Sequence, residues 1–193
     1  MQVALDWDGT CTVSDSLVAA IRVFGDPSVF HRDYGSHDAS LAHEVGTLRA
    51  SAEEVSAWAV ENVELRPGFR ELVERFRPVI VSSGLPQLIL PVLERAGVEV
   101  EVRSNGAEAR LDGWVVSFYD ERPCPVCGER CKRSSLPAGR PLVYVGDGSS
   151  DRCAALACDR VFARDFLARF LAGEGTPFEP FETLHDVVAA LER

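Results

Sequence analysis

Two aspartates one residue apart, Asp6 and Asp8, directly follow the apolar run at residues 3–5. A run this short is typical of a buried strand rather than a helix. Because side chains alternate along a strand, both carboxylates point to the same side of the chain. Like charges crowded at a strand end repel each other unless a cation lies between them. The pattern therefore predicts a metal site at this strand end, with a solvated Asp–Asp turn after an edge strand as the alternative.

Two other apolar runs end in polar side chains in a similar way. Residues 79–81 lead into Ser-Ser-Gly at 82–84, and residues 142–145 lead into a segment that contains Asp147 and Asp151. The carboxyl ends of parallel strands lie at one edge of a sheet, where doubly wound sheets bind their ligands. We therefore expect these three strand ends to form one site.

Strands and helices alternate through the second half of the chain. This alternation predicts an α/β fold with a doubly wound, mainly parallel, Rossmann-like sheet. Residues 40–48 and 52–63 have apolar side chains at helical spacing, and no convincing strand lies near them. We therefore predict a small helical cap inserted after the first strand, at residues 15–65, and a catalytic core formed by residues 1–14 and 66–193.

The remaining elements follow from periodicity and turn signals. A helix is predicted at 85–96, a strand at 98–102, and a hairpin at 108–119 with an Asp112-Gly113 turn. Further helices are predicted at 154–158, 166–172 and 184–191, and further strands at 161–163 and 178–181.

Composition narrows the class of protein. The chain has 193 residues, 46% of them hydrophobic, which is enough for a buried core. The net charge of −10, with no long basic run, argues against nucleic acid or an anionic membrane as a partner. No segment is long and apolar enough to cross a membrane, and the first strand begins too early for a signal peptide. We expect a soluble cytoplasmic protein that acts on a small molecule; its oligomeric state stays open, with a homodimer compatible.

The order of the motifs resembles the haloacid dehalogenase (HAD) superfamily of phosphohydrolases. The similarity consists of Asp-x-Asp-Gly-Thr at residues 6–10, a strand-terminal Ser82, then Lys132, then Gly-Asp-x-x-x-Asp at residues 146–151. It covers the whole predicted core. The resemblance implies a magnesium-dependent phosphomonoesterase that hydrolyses a small phosphorylated metabolite through an aspartyl-phosphate intermediate.

The resemblance also implies a role for each residue of the motifs. Asp6 would be the nucleophile, and Asp8 would protonate the leaving oxygen and later activate water. Mg²⁺ would be held by Asp6, Asp147 and the backbone carbonyl of Asp8, with Asp151 either bound to the ion directly or placed just behind these ligands. The phosphate and the rest of the substrate would contact the set Thr10, Asp15, Ser82, Ser83 and Gly84.

Lys132 completes the catalytic set. It is the only lysine of the chain, whose 20 basic residues are otherwise arginines. A compact ammonium fits between Asp6 and a phosphate where a planar guanidinium does not. The alternative is a surface lysine at the end of a loop.

The sequence indicates the branch of the superfamily less specifically than the superfamily itself. A helical insertion after the first motif resembles the caps of phosphoserine phosphatase-like members. The segments at 81–85, 162–167 and 177–181, with cysteines ahead of Lys132, look like the methionine-salvage enol phosphatases, which act on a methylthio-substituted keto-enol phosphate. A phosphoserine phosphatase, a phosphotransferase or mutase, and an inactive phosphate-binding or regulatory protein on this fold are the alternatives. Asp8 disfavours a dehalogenase, which has no leaving alcohol to protonate.

Residues of the cap carry weaker signals. Asp15 lies nine residues after Asp6, where phosphoserine phosphatases resemble one another in placing a substrate-facing Glu. It is equally a good N-cap for the following helix. His31 and His37 are expected to be ordinary surface or cap residues rather than substrate ligands.

Three of the six cysteines form a separate cluster. Cys124-x-x-Cys127 is followed by Gly, and Cys131 directly precedes Lys132. Thiolates suit structural zinc, but such a site needs four ligands and the sequence shows no obvious fourth. Free thiols and a redox-labile disulfide are the alternatives, while Cys11, Cys153 and Cys158 are expected to be small buried side chains.

Overall fold

A six-stranded parallel sheet forms the centre of the computed structural model, which describes all 193 residues. The strands are β1 (Gln2–Leu5), β2 (Val79–Ser82), β3 (Glu101–Ser104), β6 (Leu142–Gly146), β7 (Arg160–Ala163) and β8 (Glu179–Pro180), and a hairpin is formed by β4 (Gly106–Arg110) and β5 (Gly113–Ser117). The helices are α1 (Ser16–Phe24), α2 (His37–Gly46), α3 (Ala52–Asn62), α4 (Phe69–Phe76), α5 (Pro86–Ala96), α6 (Arg152–Ala155), α7 (Asp165–Gly173) and α8 (Leu184–Leu191). The sheet order is β3-β2-β1-β6-β7-β8, and every pairing is parallel, so the predicted fold class is confirmed.

Strand β1 lies in the middle of the sheet, between β2 and β6. Leu5 is in register with Ile80 on one side and Val145 on the other. Leu5 packs into the larger hydrophobic core on one face of the sheet, and Ala4 packs into the smaller core on the other face. Burial on both faces explains why these strands are continuous apolar runs. The three adjacent strand ends therefore lie side by side at one edge.

Three helices, α1 to α3, lie between β1 and α4. Helix α2 begins at His37 rather than near residue 40, because the side chain of Ser36 accepts a hydrogen bond from Ala39 N–H and caps the helix. The hairpin packs against α2, and Trp114 Nε1 donates to the carbonyl oxygen of Ala50 at 2.8 Å. None of the helices is both long and apolar enough to span a bilayer.

Several predicted boundaries are displaced. The hairpin turn falls on Leu111 and Asp112, because Gly113 pairs with Arg110; Gly113 has a φ of 129° and lies against the backbone of Gly46. Strand β3 begins at residue 101 rather than 98, because Val98 N–H still bonds to Leu93 at the end of α5. The last strand shrinks to two residues, and α6 ends at 155 rather than 158.

A buried arginine holds the turn that follows β1. Residues 7–11 form a tight turn in which Gly9 has a φ of 75°. The guanidinium of Arg66 donates to the carbonyl oxygens of Gly9 at 2.7 Å, Thr10 at 2.8 Å and Thr12 at 3.0 Å. These carbonyls have left the sheet and need donors. Arg66 therefore fixes the backbone on which the two motif aspartates stand.

The exchange Arg66→Lys should destabilise the protein. A single ammonium cannot reach all the carbonyls that the guanidinium fork spans, so buried acceptors are left unpaired. We expect the free energy of unfolding to fall by about 2–3 kcal/mol, measured by urea denaturation. Arg169→Lys, at an exposed position on α7, is the matched control. A loss at Arg66 no larger than the loss at Arg169 would contradict this role.

Candidate active site

A cavity of about 170 Å³ opens at the carboxyl ends of β1, β2 and β6. Its floor comes from the strand ends and its opposite wall from the helices that follow β1. The lining includes the core residues Asp6, Asp8, Ser82, Ser83, Gly84, Lys132 and Asp147, and the helical-segment residues Asp15, Leu41, His37 and Glu44. The structure thus brings together most of the predicted site residues; Thr10 and Asp151 lie behind this lining.

Lys132 lies at the bottom of the site, between two carboxylates. Its Nζ donates to Asp6 Oδ1 at 2.5 Å and to Asp151 Oδ1 at 2.6 Å. The lysine is 4% exposed. Burial alone would lower the pKa of Lys132, but the negative charges of Asp151 and Asp6 outweigh it and raise that pKa above its ordinary value. Lys132 is therefore a fixed positive charge in contact with Asp6.

Asp151 is fully buried, and every hydrogen bond to its carboxylate fixes the position of a neighbouring group. Its Oδ1 also accepts from Tyr144 Oη at 2.7 Å, and its Oδ2 accepts from the N–H groups of Asp147 at 3.0 Å and Gly148 at 2.8 Å. These four donors occupy both carboxylate oxygens. The geometry therefore makes Asp151 the residue that orients Lys132, although its oxygens lie within 4.8 Å of those of Asp6 and Asp147.

Asp8 is held by the first turn of α1. Its Oδ1 accepts from the backbone N–H of Ser16 at 2.7 Å and from Ser16 Oγ at 2.5 Å. Burial and the charge of Asp15 raise the pKa of Asp8 to about 7, although the bonds from Ser16 act to lower it. A carboxyl with this pKa can carry its proton near neutral pH, as a general acid must. Ser16 is not among the site residues that the sequence predicts.

Asp147 faces Asp6 from the end of β6. Thr10 Oγ1 donates to Asp147 Oδ1 at 2.7 Å, and Thr10 itself is fully buried, so its hydroxyl orients Asp147 instead of facing the cavity. A Cβ at Gly9 would lie 2.3 Å from Asp147 Oδ2, and Gly9 has a φ of 75°, so a side chain there would displace Asp147 and strain the turn. Burial and the charge of Asp151 raise the pKa of Asp147 to about 6.

The loop after β2 presents polar groups to the cavity. Ser82 Oγ accepts from Gly84 N–H at 2.9 Å, and a Cβ at Gly84 would lie 2.9 Å from Asp8 Oδ2. Asn105, which sequence reasoning missed, donates from Nδ2 to the carbonyl oxygen of Ser83 at 2.9 Å. Its Oδ1 accepts from Tyr119 N–H at 3.0 Å. An Asn directly after a strand gives no local signal of this bridging role.

The helical segment supplies the opposite wall. Asp15 caps α1 by accepting from Val18 N–H at 2.7 Å. It also lines the cavity, so one side chain occupies both of the positions considered for it, the helix N-cap and the cavity wall. His37 lines the cavity too, whereas His31 is exposed. Burial lowers the pKa of His37, and its Nε2 is buried without a hydrogen-bond partner. His37 is therefore a neutral imidazole with an unused polar atom.

The donor set fits a hard divalent cation. Asp6, Asp147 and Asp151 bring carboxylate oxygens within 4.8 Å of one another, and Lys132 offsets only one of the three charges. Mg²⁺ prefers a few carboxylate oxygens together with water and phosphate oxygens. Since both oxygens of Asp151 are already bonded to nitrogen and hydroxyl donors, Asp6 and Asp147 are the carboxylates that would hold such an ion.

Comparisons with known proteins agree with this geometry. The sequence profile of the haloacid dehalogenase-like hydrolases matches residues 3–156. The 2-hydroxy-3-keto-5-methylthiopentenyl-1-phosphate phosphatase of Geobacillus kaustophilus is 31% identical over 209 residues, covering 97% of this chain and 94% of the relative. The enzyme of that name from Exiguobacterium sibiricum is 25% identical over 213 residues, covering 100% and 96%.

Solved structures show the same fold. A phosphoserine phosphatase with an analogue of its phospho-aspartyl intermediate superposes with a TM-score of 0.70 at 16% identity, covering 98% of this chain and 97% of its own. Phosphoserine phosphatase from T. onnurineus gives a TM-score of 0.69 at 20% identity, covering 100% and 94%. The match of the family profile to most of the chain, together with this fold and the ordered strand-end residues, shows that the chain belongs to the haloacid dehalogenase-like hydrolases.

Proposed function

We propose that the chain is a magnesium-dependent phosphomonoesterase that hydrolyses a small phosphorylated metabolite through an aspartyl-phosphate. The observation that carries the proposal is the ammonium of Lys132, held at 2.5 Å from Asp6 in a strand-end cavity that Asp8 also lines. An inactive binding protein would not need this buried charge arrangement. The names of the curated relatives support phosphatase chemistry.

Asp6 is the nucleophile of the proposed reaction. Trp7 N–H at 2.6 Å and Lys132 Nζ both bind its Oδ1 and so fix the direction of the carboxylate. The bond from phosphorus to the ester oxygen breaks as the new bond to a carboxylate oxygen of Asp6 forms. Asp8 gives its proton to the leaving oxygen, so the alcohol or enol departs neutral. Asp8 then accepts a proton from water, whose oxygen attacks phosphorus and releases phosphate and free Asp6.

Other groups of the site stabilise the charge of the phosphoryl group. Lys132, Ser82 and the backbone N–H of Ser83 would contact its oxygens, since these residues line the same cavity, and Gly84 N–H donates to Ser82 Oγ and orients that hydroxyl. Bound Mg²⁺, held by Asp6, Asp147 and the carbonyl oxygen of Asp8, would supply further positive charge to those oxygens. Thr10 and Asp151 act one step away, on Asp147 and Lys132.

We also propose that residues 15–65 act as a cap that chooses the substrate. The wall that this segment presents combines the apolar Leu41 with Asp15, His37 and Glu44, and Lys132 is the only cationic side chain of the cavity lining. The carboxylate of phosphoserine would therefore lack an ionic partner of its own. An uncharged keto-enol chain avoids that cost, which favours the methylthio keto-enol phosphate of the curated relatives' names over phosphoserine.

A substrate panel tests the proposed function. With Mg²⁺ present, we expect kcat/KM for the methylthio keto-enol phosphate, generated in the assay from its precursor, to exceed that for phosphoserine by about 100-fold, because a missing polar partner costs several kcal/mol. Removal of Mg²⁺ with chelator should abolish release of phosphate. Faster turnover of phosphoserine would reverse the substrate assignment, and no turnover of any phosphate ester would reject the function.

Two isosteric variants test the covalent intermediate. Asp6→Asn removes the nucleophile, so turnover should fall by about 10³-fold or more and no phosphate should become attached to the protein. Asp8→Asn keeps the nucleophile but removes the acid and base, so slow turnover with accumulated phosphoprotein is expected. Intact-protein mass spectrometry after rapid acid quench measures the label. A phosphorylated Asp6→Asn variant would show that another residue is the nucleophile.

The shape of the cation at position 132 gives a further test. Lys132→Arg keeps the charge, but a planar guanidinium does not fit in the space between Asp6 and Asp151. We expect kcat to fall by about 100-fold or more, since the charge at the phosphate is misplaced. Arg133→Lys, a charge-preserving exchange at the next residue, should keep most of the activity. Near wild-type kcat in the Lys132 variant would remove this residue from the reaction.

A further inference from the structure

Four cysteine sulfurs converge beside the active site. Cys124, Cys127 and Cys131 come from the loop between β5 and Lys132, and Cys153 comes from α6. All four Sγ atoms lie within 4.8 Å of one another, and those of Cys124 and Cys153 are 3.8 Å apart. All four are free cysteines. Cys153 is thus the fourth member that the sequence did not identify, and not an isolated core side chain.

We propose that these four cysteines bind one structural Zn²⁺ that holds Lys132 in place. Tetrahedral zinc with Zn–S bonds of about 2.3 Å places its sulfurs about 3.8 Å apart, which is the separation between Cys124 and Cys153. A bound ion would draw the wider pairs together by about 1 Å at most. Four thiolates in a closed set, with no position for water, are typical of a structural site rather than a catalytic one.

The backbone of the loop is already shaped around the first sulfur. Gly128 has a φ of 78°, and its N–H donates to the carbonyl oxygen of Cys124 at 2.8 Å. Cys124 N–H donates in turn to the carbonyl oxygen of Glu129 at 2.8 Å. Val126 N–H points at Cys124 Sγ from 3.5 Å, a contact that favours a sulfur carrying negative charge. The turn therefore aims the two sulfurs of Cys-x-x-Cys at one point before any ion binds.

Burial and charge around the cluster also suit a bound metal. Cys124 and Cys153 are buried while Cys127 is exposed, so one side of the cluster is open to solvent and an ion can reach it. Zinc with four thiolates carries a net charge of −2. Arg133 donates to the carbonyl oxygen of Cys153 at 3.4 Å, and Arg152 lines a pocket together with Cys127 and Cys153. These cations offset that charge.

The position of the cluster explains why the site would matter for catalysis. Cys131 directly precedes Lys132, and Cys153 follows Asp151 by two residues. The metal would therefore tie together the two segments whose side chains form the 2.6 Å contact between Lys132 and Asp151. Residues 118–131 contain no helix or strand, and a loop of this length needs another restraint to hold one conformation. Zinc here would make Cys131 and Cys153 positioning residues for Lys132.

Metal content of the full chain, purified without chelator and with reductant, tests the site directly. We expect about one zinc per chain by mass spectrometry of the elements, falling by at least about tenfold in Cys124→Ser and Cys153→Ser. Cys158→Ser is the matched control, because Cys158 lies outside the cluster and its Sγ donates to the carbonyl oxygen of Ala154. The control should keep both zinc and activity. Replacement by Co²⁺ should give the charge-transfer absorption of four thiolate ligands in the wild type and in Cys158→Ser, but not in Cys124→Ser or Cys153→Ser.

Each outcome bears on one part of the proposal. Less than about a tenth of an equivalent of zinc, stoichiometric iron, or a Cys124–Cys127 disulfide in the reduced purification would reject the zinc site. If the site exists, Cys153→Ser should lower kcat by about tenfold or more with little change in KM and an intact fold by circular dichroism. Loss of zinc with unchanged kcat would reject the link to Lys132. Zinc in a protein without phosphatase activity would instead reject the proposed function alone.

Discussion

The buried ammonium of Lys132 between Asp6 and Asp151 is the constraint around which the site is built. Removing these three charges from water costs several kcal/mol for each ion, and their attraction compensates only when the geometry is good and every other lone pair is satisfied. The structure meets that condition at Asp151, whose four donors leave no oxygen unpaired. An ion cluster this buried cannot adapt easily to a displaced neighbour, so the backbone around it has to be fixed independently.

That backbone is fixed by contacts that reach across the chain. Arg66 holds the carbonyls of the turn after β1, and Thr10 ties the same turn to Asp147. The two glycines of the site allow the backbone to lie close to the carboxylates: a side chain at Gly9 would collide with Asp147, and one at Gly84 would crowd Asp8. The carboxylates are thereby packed against each other at distances where their mutual repulsion has to be offset, and Lys132 offsets part of it.

Besides packing against the core, the helical segment orients a residue of the site. The first turn of α1 binds Asp8 through Ser16, so the residue that would transfer protons is oriented by the segment that also forms the wall of the cavity. The loop at residues 118–131, which carries three of the four clustered cysteines, contacts this segment too: Arg130 forms an ion pair of 2.9 Å with Asp38 in α2. The helical segment therefore contacts both Asp8 and the loop that leads to Lys132.

The amino-acid sequence by itself determined the α/β class, the strand ends and the order of the motif residues. Those features depend on local patterns: apolar runs of strand length, polar residues where the runs stop, and a single lysine in a chain of arginines. Only the tertiary structure decided which residues support them. The contact between Asp6 and Lys132 joins residues 126 apart in the sequence, and that between Thr10 and Asp147 joins residues 137 apart. Four supporting residues have no local sequence pattern that marks them: Ser16, Arg66, Asn105 and Cys153. Their roles arise because a parallel sheet brings distant strand ends to one edge, where short side chains meet partners that no sequence spacing reveals.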